Sequence, residues 1–260
     1  MKLGVQLFGC SKLYNADPAG FLKRVKAMGY DLVEPCVSFG AEPIPFAWHV
    51  DDLKRHADMV REAGLELYSF HSFSDAMWEL LPRHIDVCRE FGFKRIVLQY
   101  GKRPLEKAAL DDFAAHCVEA ADALAPYGIE LWLHNGWPDV KAQVEGVSAH
   151  EYLLRACGGK LGSQVDTGWA VCGGAKLDEF LKENAGYIKA IHYKDVATLL
   201  DAKGYAENVA LGKGIVNNEA AFRLAMEKDL IQIMDQDNSE GDIMEDLDQS
   251  AKYIFALAKR

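Results

Sequence analysis

Eight polar residues close eight short apolar runs along this chain: Gln6, Glu34, His71, Gln99, His134, Asp166, His192 and Asp235. The last four are all side chains that hold hard or borderline divalent metal ions. They end consecutive runs, within LWLHN, SQVDTGWA, AIHYKD and IMDQDN. A fold that gathers the ends of those runs on one rim makes a metal site from His134, Asp166, His192 and Asp235. Each residue has a plainer alternative. His134 can be a hydrogen-bonded interior histidine, and Asp166, directly before a turn, can cap a helix. Asp237 lies two residues past Asp235 and faces the same side of an extended chain, so it either competes as ligand or orients one from behind.

The elements that must position these residues recur as one phrase: amphipathic helix, glycine, short apolar run, polar residue. Helices are expected near residues 19–28, 51–63, 75–91 and 105–126, with Phe21, Leu22, Val25 and Met28 on the first face. The next faces carry Leu53, Ala57 and Val60, then Leu81, Ile85 and Cys88, then Phe113, Cys117, Ala121 and Leu124. Gly29, Gly64, Gly92 and Gly128 follow these helices, where glycine takes the left-handed conformation without a side-chain penalty. The runs after them, DLVEPCV, LELYSFH, FKRIVLQY and IELWLHN, are β-branched and aromatic, as strands buried on both faces read. The phrase continues with KLGSQVD, GYIKAIHYKD and LIQIMDQD, after helices near 147–157, 177–184 and 218–228, and ends in a helix near 242–258. With the opening KLGVQLF this gives eight strands alternating with helices, hence a parallel sheet.

A chain of 260 residues suits a single (β/α)8 barrel spanning 1–260. An open doubly wound sheet would carry a glycine-rich phosphate loop after its first strand. Here that loop reads FGCSKLYNADPAG, without the motif. Two long loops, from Ser38 to about His49 and from about Ala197 to Asn217, leave the ends of strands where barrel active sites form, and are candidate lids.

The formal net charge of −10 argues against a general nucleic-acid or anionic-membrane surface. No run approaches the length of a membrane span, and the opening segment is too short for a secretory core and reads as a strand. Cys10, Cys36, Cys88, Cys117, Cys157 and Cys172 form no C-x-x-C pair, so reduced, mostly buried thiols and a cytoplasmic location are expected.

Taken in order, KLGVQLF, GYDLVE, LHN, VDTGWA, IHYKD, ALGKG and MDQD resemble the sugar phosphate isomerase/epimerase superfamily. This is the xylose isomerase-like TIM-barrel group, with ketose 3-epimerases, inosose dehydratase and endonuclease IV among its members. The resemblance runs from the first strand to the last helix. It implies one divalent metal ion (Mn2+, Co2+, Mg2+ or Zn2+) at the barrel mouth, with Asp166 and His192 on the aspartate and histidine of the family's ligand set. His134 and Asp235 stand where many members have glutamate. The family's paired glutamates, which bind metal and shuttle the proton, are therefore absent.

The implied reaction is isomerisation or epimerisation of a keto-sugar or related polyol through an enediolate. Asp235 is the first candidate base and His134 the second. Lys194 either reaches the substrate and neutralises the enediolate or is a solvated loop lysine. Glu34, on the family's "V-E" position, is a candidate for binding a substrate hydroxyl. His71, Gln99, Trp137 and Trp169 are candidates for lining the pocket, with aromatic packing the alternative for the two tryptophans. Dehydration of a keto-cyclitol or keto-sugar shares the first step. A sugar-binding barrel that has lost its metal is the reading from another class. Small sugars or cyclitols are the expected partners, with neither nucleic acid nor membrane, and a homodimer is possible.

Overall fold

The computed structural model describes residues 1–40, 44–73 and 77–260. Eight parallel strands form the inner wall: β1 (Leu3–Gln6), β2 (Leu32–Glu34, continued by Cys36–Ser38), β3 (Glu66–Leu67, continued by Ser69–Phe73), β4 (Arg95–Gln99), β5 (Glu130–His134), β6 (Leu161–Asp166), β7 (Ile188–Tyr193) and β8 (Ile231–Met234). Each pairs with the next, and β8 pairs back onto β1, which closes the ring. Proline has no N–H to give to a ladder, so β2 breaks at Pro35. The Pro35 carbonyl still accepts the His71 N–H at 2.9 Å, which keeps β3 in step.

Among the described residues, the eight helices of eight residues or more cover the strands: α1 (Pro18–Ala27), α2 (Leu53–Glu62), α3 (Leu81–Phe91), α4 (Lys107–Leu124), α5 (Ala149–Ala156), α6 (Leu177–Asn184), α7 (Asn218–Lys228) and α8 (Ile243–Leu257). α1 starts where Asp17 accepts the Gly20 N–H at 3.0 Å, with Pro18 in the first turn, and it buries Phe21, Leu22 and Val25. Truncating a side chain as buried as Leu22 to alanine costs about 2–5 kcal/mol. The four punctuating glycines have φ of +98° (Gly29), +72° (Gly64), +82° (Gly92) and +67° (Gly128), as the sequence pattern requires. α3 departs from its expected face. Residues 75–76 of that stretch lie outside the described residues, the helix begins at Leu81, and it buries His84, Val87 and Cys88. Leu81 and Ile85 are only partly covered. His84 can go inside because Ser72 Oγ and the Leu80 carbonyl meet its two ring nitrogens at 2.8 and 2.9 Å.

Register sets the layers inside the barrel. Val97, Trp132 and Ala190 form an apolar plug. A Cβ on Gly162 would lie 2.5 Å from the Trp132 ring, so only glycine leaves room for that indole. Two residues further along β5 and β7 come His134 and His192, and the β6–β7 ladder sets Asp166 opposite His192. The apolar plug therefore forms the floor beneath a polar layer at the strand ends.

The loop of residues 197–217, a candidate lid by its place and length, is anchored at its far end. The buried Asp195 carboxylate accepts the N–H groups of Gly212, Gly214 and Val216 at 2.9–3.1 Å, and Ala206, Leu211 and Val216 are buried. The loop of residues 38–49 adds a short strand, Trp48–His49, beside Cys36–Ser38, and its residues 41–43 lie outside those described. All six cysteines are free, and all but Cys172 are buried. Among the described residues no helix is long and apolar enough to cross a membrane.

Candidate metal centre

His134, Asp166, His192 and Asp235, from the ends of four consecutive strands, converge at the barrel mouth. One donor atom from each lies within 4.8 Å of all the others. His134 Nε2 stands 3.5 Å from Asp166 Oδ2 and 3.8 Å from Asp235 Oδ2, and His192 Nδ1 is 3.1 Å from Asp235 Oδ2. Asp166 Oδ1 accepts the Trp169 N–H at 2.7 Å, so this aspartate does cap the short helix Thr167–Cys172. The cap uses one oxygen only. The other, Asp166 Oδ2, faces the cluster. Asn135 fixes the backbone here, exchanging hydrogen bonds of 2.9 and 3.1 Å with the Asp166 N–H and carbonyl.

Behind this group sits Glu34. Its oxygens accept from Gln6 Nε2 at 3.1 Å, Gln164 Nε2 at 2.9 Å and the Ser69 hydroxyl, and His192 Nε2 lies at 2.7 Å. His71 Nε2 is 3.1 Å from Glu34 Oε2 and 2.9 Å from Gln164 Oε1. Burial opposes ionisation of Glu34, but the histidines His192 and His71 outweigh it and hold the carboxyl well below its ordinary range. Glu34 is therefore enclosed and fully engaged, not free to bind a substrate hydroxyl as its position suggested. It orients His192: with Nε2–H given to Glu34, only Nδ1 is left for a metal ion. Burial opposes the charged form of His192 as well. Glu34 and Asp235 overcome it and push the imidazole up to about 10 in the absence of an ion.

Lys194 is fully buried on the far side of the cluster. Its Nζ lies 2.9 Å from Asp166 Oδ2 and 3.2 Å from Asp235 Oδ2, donates to Asp237 Oδ2 at 2.5 Å, and stands 4.7 Å from the centre of the Trp169 ring. Burial works against the ammonium, yet the three carboxylates hold it well above its ordinary value. Burial raises the Asp237 carboxyl to about 6 despite the stabilising Lys194.

A cavity of about 520 Å3 opens above these groups, lined among others by His71, Gln99, His134, Trp169, Asp235 and Asp237. That volume fits a small-molecule site. Phe8 and Phe46 also line it, in edge contact with ring centres 4.8 Å apart, so the loop of residues 38–49 does reach the mouth. Of the expected lining residues, Trp137 does not reach this cavity and instead packs near Lys141. Lys194 also stays out of the lining, sealed behind the aspartates. A wider groove of about 660 Å3, lined by residues that include Lys141, Glu151 and Phe180, holds none of the clustered donors.

The donor set suits a divalent ion. Both ring nitrogens of His134 and Asp235 Oδ1 are buried without a hydrogen-bond partner, a costly arrangement unless another group completes it, while Asp166 Oδ2 is already 2.9 Å from the Lys194 ammonium. A second group of donors, Glu34, His71 and His192, also lies close together. No oxygen of Glu34 is unpaired there, so that group reads as support rather than as a second site. Two imidazoles with two carboxylates match Zn2+, Co2+ or Mn2+ better than Mg2+, which prefers oxygen alone. Asp235, though shorter than the glutamate it replaces in the resemblance, still reaches the other donors.

Gln6 stood among the strand-end residues, whereas Gln164 and Ser69 are participants that sequence reasoning missed. Gln164 was findable: two residues before Asp166 on a strand, it shares the inward face.

The model of the xylose isomerase-like TIM barrel family matches residues 22–248. No curated protein matches the chain in sequence. Among solved structures, a sugar phosphate isomerase/epimerase from Parabacteroides distasonis superposes with a TM-score of 0.77 at 21% identity, over 97% of this chain and 92% of that one. An L-ribulose 3-epimerase gives 0.69 at 14% identity, over 100% and 95%. The IOLI protein, whose structure holds a zinc atom, gives 0.70 at 17% identity, over 100% and 99%. At these identities the structural likenesses speak for the fold, and the family match decides membership. This chain belongs to the xylose isomerase-like TIM barrel family.

Proposed function

We propose that this protein is a metal-dependent isomerase or epimerase of a keto-sugar or related polyol. The observation that carries this reading is the convergence of His134, Asp166, His192 and Asp235 beneath an open cavity, with both ring nitrogens of His134 and Asp235 Oδ1 buried and left without a hydrogen-bond partner. These four residues would hold a divalent ion, which would supply Lewis acidity toward a substrate carbonyl.

The chain's own residues supply the rest. Asp235 turns Oδ2 toward His192 and keeps Oδ1 unpaired at the cavity wall, which suits it to take the proton from the carbon next to the carbonyl. A base must come within about 2.6–3.2 Å of that proton's carrier. His134, also unpaired and at the wall, is placed to return the proton. Return to the neighbouring carbon isomerises, and return to the opposite face epimerises. Trp169, Phe8 and Phe46 offer apolar faces to a sugar's C–H surface and keep water from it.

The test is proton exchange. Metal-loaded protein is incubated with a panel of ketoses and keto-cyclitols in deuterated water and followed by NMR. Deuterium at the carbon next to the carbonyl, with a rearranged sugar, supports the proposal. Asp235→Asn should slow that exchange by roughly a hundredfold or more at saturating metal. An unsaturated product absorbing in the ultraviolet would move the reaction to dehydration. Binding of sugars without any exchange would favour a sugar-binding barrel.

A further inference from the structure

The tetrapeptide Asp166-Thr167-Gly168-Trp169 is built around Lys194. Thr167 Oγ1 accepts the Lys194 N–H at 3.0 Å, and Asn218 Nδ2 donates to the Lys194 carbonyl at 3.1 Å, so both backbone groups of the lysine are fixed. A Cβ on Gly168 would lie 2.7–3.0 Å from Cβ, Cγ and Cδ of Lys194, so the stem fits only beside a glycine. The Trp169 ring covers the ammonium, 4.7 Å from its centre. Asp166 then meets Nζ at 2.9 Å. Four consecutive side-chain choices thus serve one buried cation.

That cation stands on two carboxylates assigned above to the metal ion, with Asp166 Oδ2 at 2.9 Å and Asp235 Oδ2 at 3.2 Å. Its third partner, Asp237 Oδ2, lies outside the donor group and makes the shortest contact. Two cations drawing on the same carboxylates repel across a short distance in a poorly solvated site.

We propose that Lys194 is a resident cation that shares Asp166 and Asp235 with the metal ion and holds its affinity down, and that Asp237 is the anion that draws Lys194 off those oxygens. The proposal rests on the metal-centre reading. It makes Lys194 a tuning residue, acting through the ligands rather than on substrate. It also accounts for a fold that tolerates three neighbouring carboxylates before an ion arrives.

The experiment is titration of chelator-treated protein with Co2+, read by its visible absorption and by calorimetry. Lys194→Met keeps the stem beside Gly168 and removes the charge, so Co2+ should bind roughly tenfold or more tightly. Asp237→Asn should weaken binding by roughly tenfold, because the lysine then leans wholly on the ligand oxygens. In the double variant the Asp237→Asn effect should shrink, since its intermediary is gone. Structural damage weakens metal binding in every variant, so tightening has no such origin. Unchanged or weaker binding by folded Lys194→Met, or an undiminished Asp237→Asn effect in the double variant, would overturn the proposal while leaving the metal centre standing. Should Lys194→Met not fold, Lys194→Gln takes its place: tighter Co2+ binding supports the proposal, and unchanged or weaker binding refutes it. No Co2+ binding by the wild type would overturn the metal centre itself.

Discussion

Replacing Glu34 by glutamine separates two roles that its place at a strand end leaves open. The carboxylate takes hydrogen bonds from Gln6, Ser69 and Gln164, and faces His192 at 2.7 Å and His71 at 3.1 Å. Glutamine keeps the shape but loses the charge, and its NH2 must face at least one of these donors. Breaking a buried pair from one side costs about 3–5 kcal/mol. Losing a partner that orients a metal-binding histidine costs about 10–100-fold in metal affinity. The account therefore expects a lower urea midpoint and a Co2+ Kd raised at least about tenfold. The pH dependence has a definite sign. The folded carboxyl titrates well below its ordinary value of 4.5. Its stabilisation is thus full above that value and drains away as pH falls toward the depressed one, and Glu34→Gln should flatten this acid limb. A variant with unchanged Co2+ affinity and stability but a raised KM would refute the reasoning and restore Glu34 as a substrate contact.

Other expectations follow from groups elsewhere. His56 and His84 are buried and shifted from 6.5 down to about 4, chiefly by burial, so both are neutral when folded near pH 7. The unfolded chain takes up protons first. Stability should be full above about pH 6.5 and fall by up to about 3 kcal/mol per histidine as pH drops toward 4; a midpoint flat across that range would contradict this. Asp195→Ala leaves the N–H groups of Gly212, Gly214 and Val216 unpaired, at about 1–3 kcal/mol each. Trypsin should then cut sooner at Lys203 or Lys213, and an unchanged digestion pattern would show that the loop is held by other means. Gly168→Ala should disturb Co2+ affinity without touching any ligand, because its methyl group meets the Lys194 stem.

Much of the architecture was legible because the same local physics repeats. Glycines that end helices with positive φ, strands buried on both faces and caps such as Asp17 are all short-range features, and they fixed the order of elements. The four mouth donors were legible for the same reason: each ends a strand, and closure of the ring does the rest. What sequence hid is long-range. Glu34 ends a strand just as Asp166 does, and only three-dimensional packing shows Ser69, Gln164 and two histidines enclosing it. Lys194 read either as a residue reaching for substrate or as a solvated loop lysine, yet Gly168 and Trp169 wall it in, and no spacing rule reports such a socket. The anchor of the loop of residues 197–217 was hidden as well, because Asp195 grips backbone N–H groups that carry no sequence signature.

The most direct test of the central claim is the metal content of purified, tag-free protein by elemental mass spectrometry, with Asp166→Ala and His192→Ala beside it. The account expects about one equivalent of a divalent ion in the wild type and a loss of that ion in both variants. A wild type that takes up no ion, even after reconstitution with Mn2+, Co2+ and Zn2+, would contradict it.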